Sequence, residues 1–511
     1  MSGTVVVIDG ASLSCAALTA VARRHAEGAV GERATAAARA ARQTGRDLAA
    51  RQPVYGRNTG VGANHPVDLS EHDRAEHGIR LLRSHAAGTG PLLAPEVARA
   101  MLVVRLNQLG AGGSGVDPAL LPVLADAINR GFTPPVPLYG AIGTGDLTAL
   151  AATGLCLLGE RAWQGGTGPP PRFGIRTSEA LGFISSSAAT LGDAALACHD
   201  LAGLLRAAAP AAALSLVAVH GSEEPYAEAV HRARPHPGQQ RVAASMRALL
   251  AADRFPAGRV QDPYGYRAFP QVHGPALDSV EHAAAVVEAE LNGSPENPLI
   301  DVAGQAVWHN GNFHAAYVGL ALDAVRAALF QTAALSVARL GTLMEPSFTG
   351  LNAFLARDRA SSGVMILEYV AHSAAADIRR FAAPAALGGA VLSRGVEEHA
   401  GFATQSARAT SEAVAAYRAV LACELIAATR ALRMQGRGPA EGGGLRNAYD
   451  LADSALERAT EDRPLDGDLA AAEGALAGLT ALAPWPEAGR SGDGAQIMAG
   501  CETGPDTTEN L

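Results

Sequence analysis

The sequence contains no lysine, so all 41 of its basic residues are arginines. Chemistry that depends on a lysine side chain is therefore excluded, including a lysine Schiff base, conventionally held pyridoxal phosphate and the lysine of a Walker-A loop. The 50 acidic residues outnumber the arginines and give a formal net charge of −9. Because the chain is acidic and has no basic stripe, we expect no nucleic-acid partner.

Cysteine is also scarce, and the five cysteines among the 511 residues lie far apart without any Cys-x-x-Cys spacing. This pattern is typical of buried or incidental thiols in a reducing compartment, so we expect a cytoplasmic protein without a disulfide framework. No run of about 18 apolar residues lacks charge, glycine and proline, which predicts no membrane span. Asp193, Asp262 and Asp301 lack metal-ligand spacing, so no metal site is predicted.

The apolar pattern predicts a mainly α fold with a long central helix bundle and a small mixed α/β region at the N-terminus. We expect a strand over residues 5–8 and alanine-rich helix over residues 11–50. The predicted organisation is a mixed region over residues 1–200, a helical region over residues 201–484 and a flexible tail over residues 485–511. One buried helix face is marked by Val414, Tyr417, Leu421, Leu425, Ala428 and Leu432.

Two glycine-containing segments carry residues suited to chemistry. Residues 55–62 place Tyr55 among three glycines, whose backbone freedom would let the loop fold over a ligand. Residues 261–267 place Tyr264 three positions before Arg267. A guanidinium can hold a carboxylate through two parallel hydrogen bonds, so this pair suits a small carboxylate-bearing substrate.

The residues of these segments and their order along the chain resemble the motifs of the aromatic amino-acid ammonia-lyase and aminomutase family. The resemblance is closest to its histidine ammonia-lyase branch. Residues 55–62 resemble its tyrosine loop, and residues 84–88 resemble the segment that meets the substrate ring, with the histidine of the histidine-using branch. Residues 261–274 are similar to the segment with a second catalytic tyrosine and a carboxylate-binding arginine. Further matching motifs lie at residues 297–300, 311–314 and 397–399, and the resemblance extends from about residue 5 to about residue 480.

The resemblance implies an ammonia-lyase-type fold, a homotetramer and active sites completed by loops from neighbouring subunits. The residues implied to be catalytic are Tyr55, Tyr264 and Glu397, and those implied to bind substrate are His85, Arg267, Asn312, Phe313 and Ser185. Enzymes of this family use an electrophilic group built from their own chain, and at the position of Ser185 they carry an asparagine close to that electrophile.

That electrophile is a methylidene-imidazolone (MIO), which the family makes from consecutive Ala-Ser-Gly residues. Here the corresponding loop is one residue shorter between Pro137 and Asp146, and it carries Gly143, Thr144 and Gly145. Dehydration of threonine would leave an additional methyl group on the reactive carbon. We therefore expect a degenerate MIO loop and no MIO cofactor.

Three hypotheses follow from these motifs. The first is a MIO-less enzyme of bacterial secondary metabolism that uses tyrosine and glutamate acid–base chemistry for elimination, conjugate addition or cyclisation on an activated small molecule. The second is a histidine or aromatic amino-acid ammonia-lyase with an atypical MIO triad. The third is a catalytically silent member of the family with a structural or regulatory role.

Overall fold

The computed structural model describes residues 4–61, 71–253 and 257–485. Most of the predicted tail, residues 485–511, therefore lies outside the described residues. The helices of the first half are α1 (Cys15–Ala22), α2 (Glu32–Ala49), α3 (Glu71–His85), α4 (Pro95–Ala111), α5 (Leu120–Arg130), α6 (Leu147–Leu158), α7 (Ala180–Ile184), α8 (Ala188–Ala218), α9 (Glu228–Arg232) and α10 (Pro237–Leu250). Those of the second half are α11 (Tyr264–Arg267), α12 (Phe269–Leu291), α13 (Ala316–Met344), α14 (Pro346–Thr349), α15 (Ile366–Phe381), α16 (Ala403–Met434), α17 (Gly444–Ala455) and α18 (Asp466–Leu482).

The strands are short and pair two by two within the described residues. The pair β1–β2 is parallel, whereas β3–β5, β4–β6 and β7–β8 are antiparallel. Their bounds are β1 (Thr4–Ile8), β2 (Ala26–Val30), β3 (Thr89–Leu92), β4 (Phe132–Thr133), β5 (Pro137–Tyr139), β6 (Gln164–Gly165), β7 (Leu299–Asp301) and β8 (Ala306–Trp308). The predicted mainly α fold with a mixed N-terminal region is confirmed.

The long helices α8, α13 and α16 pack against one another and form the centre of a bundle that α4, α12, α15 and α18 surround. The predicted apolar face of α16 is confirmed, since all six of its residues are buried. In α8, most alanines and leucines are buried around the whole helix, as expected for a helix enclosed on all sides. This helix also continues through the boundary at residue 200 that was predicted between the mixed region and the helical region.

Two stretches are long and apolar enough to cross a membrane by length and composition, residues 177–218 and 316–344. Packing in the bundle buries 83% and 56% of their most apolar windows, respectively. Contacts with other helices therefore bury most of the first stretch and about half of the second.

The prediction of continuous helix over residues 11–50 is wrong in its middle. The chain leaves α1 through Arg24, whose φ is 63°, and forms β2 beside β1 before α2 begins. Alanine and glycine in β2 gave no strand signal of their own, because the pairing with β1 and not local propensity stabilises this strand.

Candidate active site

The loop over residues 140–146 lies where the N-termini of four helices meet. Asp146 is the N-cap of α6, and its amide N–H donates to the carbonyl oxygen of Ser186 just before α8 (2.7 Å). Phe402, the N-cap of α16, donates to Ile142 O (2.8 Å), and Ala315, the N-cap of α13, donates to Gly143 O (3.1 Å). Helix N-termini carry partial positive charge, so this arrangement stabilises negative charge that develops at the loop.

Side chains of α16 hold the same loop from one side. Gln405 Nε2 donates to Ala141 O (2.9 Å), and Arg408 Nη2 donates to Leu138 O just before the loop (2.6 Å). Neither residue was predicted from the sequence. Their i, i+3 spacing in the first turns of one helix was a usable signal, but nothing in the sequence related that helix to this loop.

Gly143 sits in the left-handed region with φ of 87°, and a Cβ atom there would lie 2.5 Å from the backbone nitrogen of Ala403. The alanine of the family pattern would therefore require the backbone to move. Thr144 is half-buried, and Gly145 follows with φ of 105°. Within the described part of the chain, the amide N–H of Gly145 donates no hydrogen bond.

Asp146 is fully buried below the loop. Its carboxylate accepts hydrogen bonds from the backbone N–H (2.8 Å) and the hydroxyl (3.0 Å) of Thr190 at the start of α8. The Thr190 hydroxyl also lies 2.8 Å from that of Thr404 on α16. Burial raises the pKa of Asp146 to about 6, although the bonds from Thr190 act in the opposite direction.

Three consecutive serines connect α7 to α8, and the first and third of them contact residues that precede α13. Ser185 is buried, and its hydroxyl accepts from the backbone N–H of Asn297 (3.1 Å). The hydroxyl of Ser187 donates to the carbonyl oxygen of Phe313 (3.3 Å). Phe313 is half-buried, and its neighbour Asn312 is exposed on the same segment. The structure therefore brings Ser185, Asn312 and Phe313 to the end of the bundle that carries the loop.

Tyr55 also lies at the end of the bundle that carries the loop, because it contacts His309 on the segment that leads to Asn312. The backbone N–H of Tyr55 donates to His309 Nε2 (3.3 Å), and the two rings meet edge to face with centroids 6.4 Å apart. The turn that begins at Tyr55 needs Gly56, whose φ is 68° and whose Cβ position would overlap the side chain of Leu181. His309 was not predicted as a site residue.

His85 ends α3, and its Nδ1 lies 3.0 Å from both Leu81 O and Ser84 Oγ. The chain then passes Gly88, where an added Cβ would lie 3.0 Å from the carbonyl oxygen of Tyr139. Because Tyr139 ends β5 immediately before the loop, this contact brings the segment after His85 to the strand that leads into the loop.

Glu397 is exposed on a short connection before α16. Its carbonyl oxygen accepts from the backbone N–H of Leu392 (2.8 Å). Two residues on, His399 Nδ1 lies 2.9 Å from His314 Nε2, directly before α13. Burial and the neighbouring His399 lower the pKa of His314. This histidine pair places the Glu397 segment beside the N-terminus of α13.

Tyr264 and Arg267 lie at the opposite end of the bundle. Tyr264 is 67% exposed, and the guanidinium carbon of Arg267 is 4.5 Å from the centre of its ring. Between them, Gly265 O accepts from Arg339 near the C-terminal end of α13, whereas Ala315 precedes its first turn. At about 1.5 Å of rise per residue, these two ends of α13 are about 35 Å apart. Within one chain, Tyr264 and Arg267 are therefore remote from the loop.

Comparisons with known proteins agree with this architecture. Residues 13–454 match the family described as aromatic amino acid lyase. The chain is 35% identical to histidine ammonia-lyase of Streptomyces coelicolor over 492 residues, which cover 92% of this chain and 96% of that one. It is 36% identical to a probable histidine ammonia-lyase of Halobacterium salinarum, with coverage of 91% and 95%.

Solved structures give the same fold. Histidine ammonia-lyase from Trypanosoma cruzi superimposes with a TM-score of 0.86 at 28% identity, covering 94% of this chain and 96% of that one. Tyrosine aminomutase from Streptomyces globisporus also gives 0.86 at 28% identity, with coverage of 93% and 97%. The resemblance and the ammonia-lyase-type fold predicted from the sequence are both confirmed.

The same matches correct the prediction that the MIO cofactor is absent. That prediction is wrong, because relatives at 35% identity over 92% of the chain are histidine ammonia-lyases, the branch that carries this electrophile. The loop retains the groups that ring formation consumes: a carbonyl at Gly143, a β-hydroxyl at Thr144 and a backbone nitrogen at Gly145. Replacing serine by threonine keeps the hydroxyl that is lost as water, so the residues fit a MIO-type group.

Proposed function

Because the chain belongs to the aromatic amino acid lyase family, we propose that it is an ammonia-lyase acting on histidine or an aromatic amino acid, with Gly143, Thr144 and Gly145 as an atypical triad. The observation that carries this proposal is a hydrogen bond in the loop. The carbonyl oxygen of Gly143 accepts it from the backbone N–H of Ala315, at the start of the 29-residue helix α13. This N–H stabilises negative charge on the carbonyl oxygen when a nucleophile attacks its carbon.

The proposed ring closure balances with the loss of two water molecules. The nitrogen of Gly145 attacks the carbonyl carbon of Gly143, and that oxygen leaves with the amide hydrogens of Gly145 and Thr144. The second water takes the Thr144 hydroxyl and its α-hydrogen, leaving a carbon–carbon double bond with one methyl group. The group, once formed, supplies an electron-poor carbon that activates the amino acid for loss of ammonia.

The remaining proposed roles belong to side chains. Tyr55, beside the segment that leads to Asn312, takes the proton that must leave the substrate. Arg267 holds the substrate carboxylate, because its guanidinium has no carboxylate partner among the described residues. His85 and Glu397 orient the far end of the substrate ring, and Tyr264 is the second proton-transfer group.

The proposed site combines residues that lie far apart within one chain. About 35 Å of α13 separates the loop from the turn that carries Tyr264 and Arg267. We propose a homotetramer in which a second copy supplies that turn to each site. The predicted role in secondary metabolism depended on a missing electrophile and loses that support.

The test combines intact mass with activity. The wild-type chain is expected to weigh less than its encoded sequence by two water molecules and to release ammonia from histidine, phenylalanine or tyrosine, with a rise in ultraviolet absorbance from the conjugated acid. Thr144→Ala should have the unmodified mass and no activity. Thr148→Ala is the matched control, since its hydroxyl donates to Gly140 O (3.0 Å) and belongs to none of the three residues that form the ring, so its loss should leave the mass deficit unchanged. An unmodified wild-type mass without ammonia release would contradict the proposal.

A further inference from the structure

We propose that Arg339 and Tyr226 are positioning residues that hold the turn carrying Tyr264 and Arg267 in its working geometry from inside the bundle. The roles of Tyr264 and Arg267 in this inference rest on the function proposed above. The turn, α11, has four residues, of which Tyr264 is exposed, Gly265 and Tyr266 are buried and Arg267 is half-buried.

Arg339 is the centre of a buried polar cluster that joins three helices. Its Nε and Nη2 atoms donate to the two carboxylate oxygens of Glu424 on α16 (2.5 and 2.7 Å). The same carboxylate accepts from Ser215 on α8 (2.8 Å) and from Ser336 on α13 (2.5 Å). Arg339 and Glu424 are each no more than 1% exposed, so the geometry of this pair is fixed by its surroundings.

One donor of this cluster is directed at the turn. Arg339 Nη1 donates to the carbonyl oxygen of Gly265 (3.0 Å), and a Cβ at Gly265 would lie 2.9 Å from Arg339 Cγ. Glycine at this position therefore allows the close approach of the turn to α13. The guanidinium also lies over the ring of Phe269, 4.9 Å from its centre, where α12 begins.

Tyrosine side chains fix the next residue of the turn. The hydroxyl of Tyr226 donates to the carbonyl oxygen of Tyr266 (2.9 Å), and the hydroxyl of Tyr266 lies 2.7 Å from that of Thr342. Both tyrosines are 1% exposed. Gly265 and Tyr266 are thus bound to the bundle through their carbonyl oxygens, whereas the side chains of Tyr264 and Arg267 on either side contact each other.

The buried cluster around Arg339 is better suited to fixing the orientation of α11 than to stabilising the fold. A buried ion pair is weak support for stability, since the cost of removing two charges from water offsets their attraction. Such a pair does restrict geometry, because any displacement leaves a charge or a carbonyl group unpaired. Rotation of α11 would break the bonds to Gly265 and Tyr266 together. The bundle thereby fixes the direction in which Arg267 and Tyr264 point.

The experiment compares Tyr226→Phe with Tyr417→Phe. Both remove one hydroxyl from a tyrosine buried in the bundle, but Tyr417 interacts with Thr332 on α13, and no hydrogen bond among the described residues joins its hydroxyl to the turn. We expect the two variants to have similar melting temperatures. In Tyr226→Phe alone, the amide hydrogens of residues 266–268, which bond within the turn, should exchange faster with deuterium. The same variant should lose kcat/KM by roughly 10- to 100-fold, mainly through KM, because the carboxylate clamp is misplaced.

A double variant, Arg339→Gln with Glu424→Gln, removes both charges together and should give the same local rise in exchange. If that double variant does not fold, the comparison of Tyr226→Phe with Tyr417→Phe decides the positioning role. Equal exchange at residues 266–268 in Tyr226→Phe and Tyr417→Phe would overturn the positioning role. A wild-type protein without lyase activity would count against the proposed function alone, because the exchange measurement does not depend on turnover.

Discussion

At the scale of single residues, Gly143 shows how closely the loop is fitted to α16. Its φ is 87°, and a Cβ would lie 2.5 Å from Ala403 N. We expect Gly143→Ala to lower the free energy of unfolding by about 1–3 kcal/mol, since both the left-handed backbone and the contact oppose a side chain. Gly174→Ala is the control, because no atom of the described residues lies within 4 Å of its added Cβ. Equal denaturation midpoints for the two variants would contradict this fit.

Asp146 gives a second expectation at this scale. Burial raises its pKa from 3.8 to about 6 in the folded chain, so the folded state binds more protons than the unfolded state between these values. Stability from this group is therefore present below about pH 4 and lost as the pH rises towards 6, by up to about 3 kcal/mol. Urea denaturation from pH 4 to 7 should show this loss for the wild type and a weaker pH dependence for Asp146→Asn. Parallel curves would show that the carboxyl group does not titrate in this range.

At the scale of elements, the N-terminus of α16 fixes the loop through side chains as well as backbone. Arg408 donates to Leu138 O (2.6 Å) and stands 5.7 Å from the ring centre of Tyr139. We expect Arg408→Met to increase deuterium exchange in residues 138–143, because the Leu138 carbonyl just before the loop loses its donor. Arg418→Met, on the same helix but 3.9 Å from Asp200, should leave that exchange unchanged. The same response in both variants would assign the effect to α16 as a whole.

The elements also show what could be predicted from the sequence. The buried face of α16 was predictable because its apolar residues recur at helical spacing. The strand β2 was not, because its alanines and glycine have no strand preference and tertiary contacts stabilise it, namely the pairing with β1 and the hydrogen bonds between Gly28 and the side chain of Asn129. The motifs of Tyr55 and His85 were identified from residue types in order. Gln405, in contrast, acquires its role only when α16 begins beside the loop, which is a tertiary contact.

At the scale of the whole molecule, the bundle separates the candidate residues into two groups. Tyr55, Ser185 and the loop lie at the end where α13 and α16 begin, and Tyr264 and Arg267 lie about 35 Å away along α13. Sequence motifs could not show this separation, since they carry no information on which end of a helix a remote segment meets. The site proposed above would therefore take one of these groups from each of two chains.

Complementation between two inactive variants tests that conclusion. Tyr55→Phe and Tyr264→Phe should each reduce turnover by roughly 10²–10⁴-fold as pure assemblies, the usual contribution of a proton-transfer group. In assemblies formed by coexpressing both variants, some sites combine the intact Tyr55 of one chain with the intact Tyr264 of another. Random mixing should then restore about one quarter of the wild-type activity. Light scattering should give four chains of 52.1 kDa for each assembly. If the two tyrosines acted within one chain, the mixed assemblies would stay as inactive as either variant alone.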